Sequence, residues 1–203
     1  MTKKLFIIRQ ANPKSPREWD NLGTIVYKHR HYNLGEEATT DPIEWLEDKM
    51  NIPNTFKFTD ERLHELEKRF FKEFIALPLY LYDHSGITMA TTPFGCAWDS
   101  GKVGYIYVSK EKIRSEYGWK LITAKRREKI ESYLKSEIEI FDQYLQGDVY
   151  CFKVEDEEGE EVDSCGGFYG QDWENNGIKD HIDEELWGQL EGIEVAYDEN
   201  CFN

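Results

Sequence analysis

The sequence predicts an α+β fold: a mainly antiparallel sheet with about four to five helices packed against it. Short apolar, β-branched runs alternate with stripes of helical period, and the links between neighbouring strands are short and hairpin-like. Composition agrees. The 203 residues are 39% hydrophobic and 14% aromatic, and the aromatic share is too high for a disordered acidic chain.

Taken in order, "KLFIIRQ" (Lys4–Gln10) reads as a first strand, followed by a turn-rich link holding Pro13, Pro16 and Gly23. "TIVYKHRHY" reads as a second strand with side chains alternating between faces. In "TDPIEWLEDKM", Asp41 caps a helix, Pro42 takes its first position and Glu44 has capping-box spacing. A second helix starts near Thr59, with Leu63, Leu66, Phe70 and Phe74 on one face. "LPLYLYDHSG" is a buried strand ending in a polar turn. "WDSGKVGYIYVSK" is a turn and strand, after which Ser109 caps a short helix closed by Gly118.

The longest helical pattern runs from about Thr123 to Gln146, with Ile130, Leu134, Ile138, Phe141 and Leu145 as its stripe and Gly147 as its stop. Its first turns carry Lys125, Arg126, Arg127 and Lys129, which the helix dipole disfavours there. They mark a contact end or, more plainly, a solvated face. "DVYCFKVEDEEGEEVDSCGGF" has hairpin grammar around Gly159. "KDHIDEELWGQLEG" reads as a helix with Ile182, Leu186 and Leu190 on one side, and "IEVAYD" as a last strand. No repeat or linker interrupts the chain.

The net charge of −15 is unevenly placed. Residues 1–150 hold 23 Lys and Arg against 23 Asp and Glu, whereas residues 151–203 hold 2 against 17. The expected organisation is therefore a charge-neutral α+β core over 1–150, with an acidic hairpin and C-terminal helix over 151–203 packed on the same domain. An acidic surface repels nucleic acid and attracts basic partners. No apolar run approaches the ~18 residues that span a membrane, and "MTKKLFIIRQ" is too short for a signal peptide. Cys96, Cys151, Cys165 and Cys201 show no zinc spacing and read as reduced thiols. A cytoplasmic location is expected.

Candidate chemistry is sparse. Asp83, His84 and Ser85 hold the side-chain types of a hydrolase triad, but neighbours on a strand point to opposite faces, so a turn is the simpler account. Cys96 lacks the aromatic that directly follows a papain-type nucleophile. His29 and His31, two apart on a strand, would share a face ~6.6 Å apart and suit a metal if carboxylates joined them. "DWENNGIKDHID" places Asp172, Glu174, Asn176, Gly177, Asp180 and Asp183 at positions 1, 3, 5, 6, 9 and 12 of an EF-hand-like loop. Glu174 is long for its position and Asp183 short for its own. A surface turn and cap is the plainer reading. "CGGFYG" has glycines without a phosphate-loop lysine and reads as a bulge.

Six blocks in order, "SPREWDNLGT", "YNLGEE", "LPLYLYDHSGIT", "WDSGKVGYIYVSKEK", "YLQGDVY" and "DSCGGFYG", resemble a family of uncharacterised proteins encoded by bacteriophages and other mobile elements of bacteria. The resemblance covers most of residues 12–170. It implies a setting, a small accessory protein in an infected bacterial cytoplasm, and carries over no catalytic residues.

In that setting the expected function is non-enzymatic: inhibition of a host restriction or CRISPR effector through an acidic, nucleic-acid-mimicking surface. Alternate strand residues stand ~6.6 Å apart, close to the phosphate spacing of a nucleic acid. The residues expected to bind the partner are Asp156, Glu157, Glu158, Glu160, Glu161, Asp163, Asp172, Glu174, Asp183, Glu184 and Glu185, with Tyr169 and Trp173 as apolar anchors. The expected partner is a basic nucleic-acid-binding host protein, without direct nucleic-acid or membrane binding and with a homodimer left open. No cofactor is expected. The alternative is a calcium or other metal protein, or a small metal-dependent enzyme. It would use His29 and His31, or the 172–183 loop with Asp172, Asn176, Asp180 and Asp183 as ligands.

Overall fold

Nine strands and four α-helices make up the chain in a computed structural model that describes residues 3–54 and 59–197. Cys201 lies outside the described residues. The α+β class holds, but the strands divide into two sheets instead of one. They belong to two compact units, residues 1–18 with 140–203 and residues 19–139. These units cut the chain elsewhere than at residue 150, which lies inside a strand.

The first unit is a four-stranded sheet of order β8-β7-β1-β9. Its strands are β1 (Lys4–Arg9), β7 (Val149–Glu155), β8 (Glu161–Tyr169) and β9 (Val195–Tyr197). β1 runs antiparallel to β7, with Ile7 opposite Phe152, and parallel to β9. The expected hairpin is β7–β8, closed by a turn in which Gly159 adopts a left-handed φ of 83°. Leu5, Ile7, Tyr150, Phe152 and Val154 form one buried core with Ile178, Ile182, Leu186 and Leu190. Each fully buried aliphatic or Phe side chain there contributes ~1.5–3 kcal/mol.

The segment supplying those last four residues is not the expected α-helix. It forms 3₁₀ turns over Ile178–Asp180 and Glu184–Gln189. Gly188 and Gly192 lower its helix propensity, and Asp183, with φ −59° and ψ 142°, interrupts the helical path. Spacing by four still turns Ile182, Leu186 and Leu190 inward.

The second unit is a five-stranded sheet of order β3-β2-β6-β4-β5. It contains β2 (Thr24–Tyr27), β3 (Glu37–Ala38), β4 (Ile75–Asp83), β5 (Ile87–Ala90) and β6 (Ser100–Val108). Pro78 sits on β4 where β5 has not yet begun to pair, so its missing N–H removes no bond from that ladder. Helices α1 (Pro42–Lys49) and α2 (Asp60–Glu73) share a core with the sheet, and Phe70 lies 4.9–5.6 Å from the rings of Trp45, Phe74, Tyr105 and Tyr107.

The expected caps form. The Asp41 carboxylate accepts from the amides of Ile43 and Glu44, Thr59 caps α2, and Ser109 caps α3 (Lys110–Tyr117) before left-handed Gly118 closes it. α4 (Ala124–Leu145) buries Ile130, Leu134, Ile138 and Phe141 as expected, while Leu145 is half-buried. Its basic first turns use carbonyls and ring faces in place of the dipole. Arg126 donates to Leu121 O at 2.7 Å and stacks 4.7 Å from Trp119, and Arg127 donates to Phe74 O and pairs with Glu131.

Candidate functional site

The charge asymmetry coincides with the folded units. The first unit holds 7 Lys and Arg against 20 Asp and Glu, the second 18 against 20, so −13 of the −15 belongs to the first. Glu157, Glu158, Glu160, Glu161, Asp163, Asp172, Glu174, Asp180, Asp183, Glu184 and Glu185 are all exposed.

They come from four places: the β7–β8 turn, strand β8, the turn that follows it (Asp172 and Glu174), and the 3₁₀ layer that covers the sheet. Lys3 links two of these. It donates to Asp183 at 2.6 Å, and that bond, with the fields of Asp183, Glu185 and Asp163, holds its amine above the ordinary lysine range. Asp163 of β8 thus lies in one electrostatic cluster with Asp183 and Glu185 of the covering layer.

Some of the acids have local structural work. The Asp156 carboxylate accepts from the amides of Glu158 and Glu160 at 3.0 Å and shapes the turn. Glu161 accepts from Ser164 and faces Lys153, which also pairs with Glu155 at 2.9 Å. β8 is an outer strand of its sheet, so the carboxylates of Glu161 and Asp163 guard an edge that would otherwise template pairing with another chain. Among the described residues, the Glu158, Glu160, Glu184 and Glu185 side chains make no hydrogen bond or ion pair, although the field of Glu185 acts on Lys3.

The two expected aromatic anchors are half-buried and already engaged. Trp173 packs against the first unit's core and meets Tyr150 edge-on at 5.2 Å. Tyr169 donates its hydroxyl to Lys14 O at 2.8 Å, and burial, with Tyr144 and Glu18 nearby, pushes its phenol up. Among the described residues of this unit, the exposed large aromatics are Trp187, 38% exposed beside Lys179 and among the acids of 183–191, and Tyr197, 77% exposed. Trp187 sits three residues before Leu190 and off the inward stripe, a signal already present in the sequence.

The metal candidates do not converge. The Asp172 side chain accepts from the Glu174 amide and the Asn175 side chain, and Asn176 spans Gly170 O and the Ile178 amide. Glu174 is paired with Lys179, and Asp183 with Lys3. His29 and His31 lie past the end of β2, so they do not share a strand face. His29 Nδ1 accepts from the amides of His31 and Tyr32, and its ring stacks on Tyr32 at 4.9 Å. Among the described residues, no three His, Cys, Asp or Glu side chains are grouped to hold a metal ion.

Asp83, His84 and Ser85 form the expected turn, with Ser85 at φ 60°. The Cys96 thiol donates to Asp99 Oδ2 at 3.7 Å, and His84 Nδ1 lies 3.4 Å from the same oxygen, so the imidazole addresses the carboxylate. No helix among the described residues is long and apolar enough to cross a membrane. No family model, no curated protein and no solved structure matches the chain.

Proposed function

We propose that the chain is a non-enzymatic binding protein that offers the acidic surface of its first unit to a basic, nucleic-acid-binding partner. Within the phage or mobile-element setting, that partner is a host-defence nuclease or effector. The observation that carries this reading is the confinement of −13 to one folded unit, where eleven of the described acids, from Glu157 to Glu185, stand exposed around an apolar core. A rigid array of carboxylates competes with a polyanion for the same groove, and its attraction falls as salt rises. Trp187, ringed by Asp183, Glu184, Glu185 and Glu191 in the chain, supplies the apolar anchor such an interface needs.

The test is capture of partners from a bacterial lysate on the immobilised chain, followed by elution with duplex DNA. The expected result is a basic nucleic-acid-binding protein that DNA displaces. Partners that DNA does not displace, retained equally by a chain carrying Glu158→Lys, Glu160→Lys, Glu184→Lys and Glu185→Lys, would remove the proposal.

A further inference from the structure

The second unit contains an open cavity of about 210 Å³ that the acidic surface does not involve. Its walls are α1 (Pro42, Trp45), α2 (Leu63, Glu67) and the paired strands β2 and β6. A β-bulge builds its floor. Leu79 pairs with Gly104 and Tyr80 with Lys102, so Val103 is the extra residue on β6. Gly104 itself admits no side chain, because a Cβ there would lie 1.9 Å from Val26 O. The strands close together at this point, and the bulge turns Lys102 and Tyr105 to the cavity.

The polar atoms of the wall are already engaged. Trp45 Nε1 donates to Glu37 at 3.0 Å, the Tyr27 hydroxyl to Asn33 at 3.0 Å, and the Thr39 hydroxyl to Asp41 O at 3.0 Å. The Tyr105 hydroxyl donates to Glu67 at 2.5 Å, and Glu67 is also paired with Lys102. Burial opposes the ionised form of Glu67, but the hydrogen bonds from Lys102 and Tyr105 outweigh it and hold the carboxyl below its ordinary range. The wall therefore presents ring and aliphatic faces and asks for no hydrogen bonds. Glu67 and Lys102 neutralise each other, which leaves Lys28, exposed at the rim, as the uncompensated charge among the described lining residues.

From this we infer a binding site for a small aromatic carboxylate, its ring between Trp45, Leu63 and Tyr105 and its anionic group toward Lys28. The cavity is smaller than a typical drug-sized site, so the ligand is of one-ring size. With about ten non-hydrogen atoms, phenylacetate should bind with a Kd of about 1 mM.

The experiment uses the full chain and NMR, following the Trp45 indole N–H and the Val26 and Leu63 methyl groups. Phenylacetate and phenethylamine share a ring and carry opposite charge. Phenylacetate should shift these three signals saturably, and phenethylamine should bind more weakly. Lys28→Glu, an exposed change that spares the fold, should reverse that order and weaken phenylacetate about tenfold. Leu63→Trp should fill the cavity and abolish both. Absence of saturable shifts at about 10 mM phenylacetate, or equal binding of the amine, overturns the inference. Binding that survives Leu63→Trp in a folded chain does so as well.

Discussion

In residues 19–139, a charge that leaves water does so with a partner. Glu47, 2% exposed, receives Arg62 through Nε at 3.1 Å and Nη2 at 2.8 Å, which ties α1 to α2. Glu37 receives Trp45, Lys49 and Tyr107, and Glu67 receives Lys102 and Tyr105. In residues 1–18 and 140–203, Asp148 and Glu155 are half-buried with Arg9 and Lys153, but the acids of the β7–β8 turn and of residues 183–185 stay in water, outside a core of aliphatic and Phe side chains with one engaged Tyr. The difference is instructive because net charge alone would not reveal it. In the second unit, charge is part of the packing and its removal should cost stability. In the first, the exposed acids of the turn and of residues 183–185 should be replaceable at little cost to the fold.

That contrast can be broken at its strongest point in the aromatic core. Phe70→Ala, which removes the ring at the centre of the Trp45–Tyr105–Tyr107 cluster, should cost ~3–5 kcal/mol in denaturant unfolding. Reversing Glu158, Glu160, Glu184 and Glu185 should change stability by no more than ~0.5 kcal/mol per site. Comparable losses in the two experiments would mean that the first unit's acids are structural after all.

Arg62→Ala sharpens the comparison. It removes both hydrogen bonds that Arg62 gives the buried Glu47 carboxylate, and the expected loss is about 3 kcal/mol, measured in the same way. A loss below about 1 kcal/mol, the range of a surface pair, would show that Glu47 reaches water and that the second unit treats charge like the first.

Alkaline pH gives a smaller, directional test. Burial, followed by the hydrogen bonds to Glu67 and Glu37, pushes the Tyr105 and Tyr107 phenols well above the ordinary tyrosine range. Above pH ~10 the unfolded chain releases these protons and the folded one keeps them, so stability should fall as pH rises past that point. Tyr105→Phe with Tyr107→Phe should flatten this slope. An unchanged slope would place its origin elsewhere.

The smallest effect expected is salt. Raising NaCl from about 0.05 to 0.5 M should slightly raise the melting temperature of the chain by screening self-repulsion among the acids. The fourfold charge-reversed variant should lose that response.

Much of the local structure was legible. Asp41, Thr59, Ser109 and Gly118 mark helix ends because a cap is a contact between residues two to four apart, and the Ile130–Phe141 stripe and the β7–β8 turn are equally local. The division into two sheets was not legible. It depends on β1 pairing with β7 some hundred and forty residues away, and on β9 lying parallel to β1. β3 is two residues long and leaves no period to detect. The exposed acidic residues were legible from composition, but the burial of the aromatics beside them was not. Tyr169 and Trp173 are held by Lys14 O and by Tyr150, long-range contacts, whereas exposed Trp187 follows from its place off the Leu186–Leu190 stripe. The Val103 bulge and the cavity beside it arise from strand register, which a single sequence does not display.

The most direct test of the central claim is a salt series on the captured partner, comparing the wild-type chain with the variant reversed at Glu158, Glu160, Glu184 and Glu185. The account predicts a wild-type affinity that falls steeply and linearly in log–log form as salt rises, and a variant whose affinity is low and whose slope is shallower. Equal affinities and equal slopes for the two chains would contradict it.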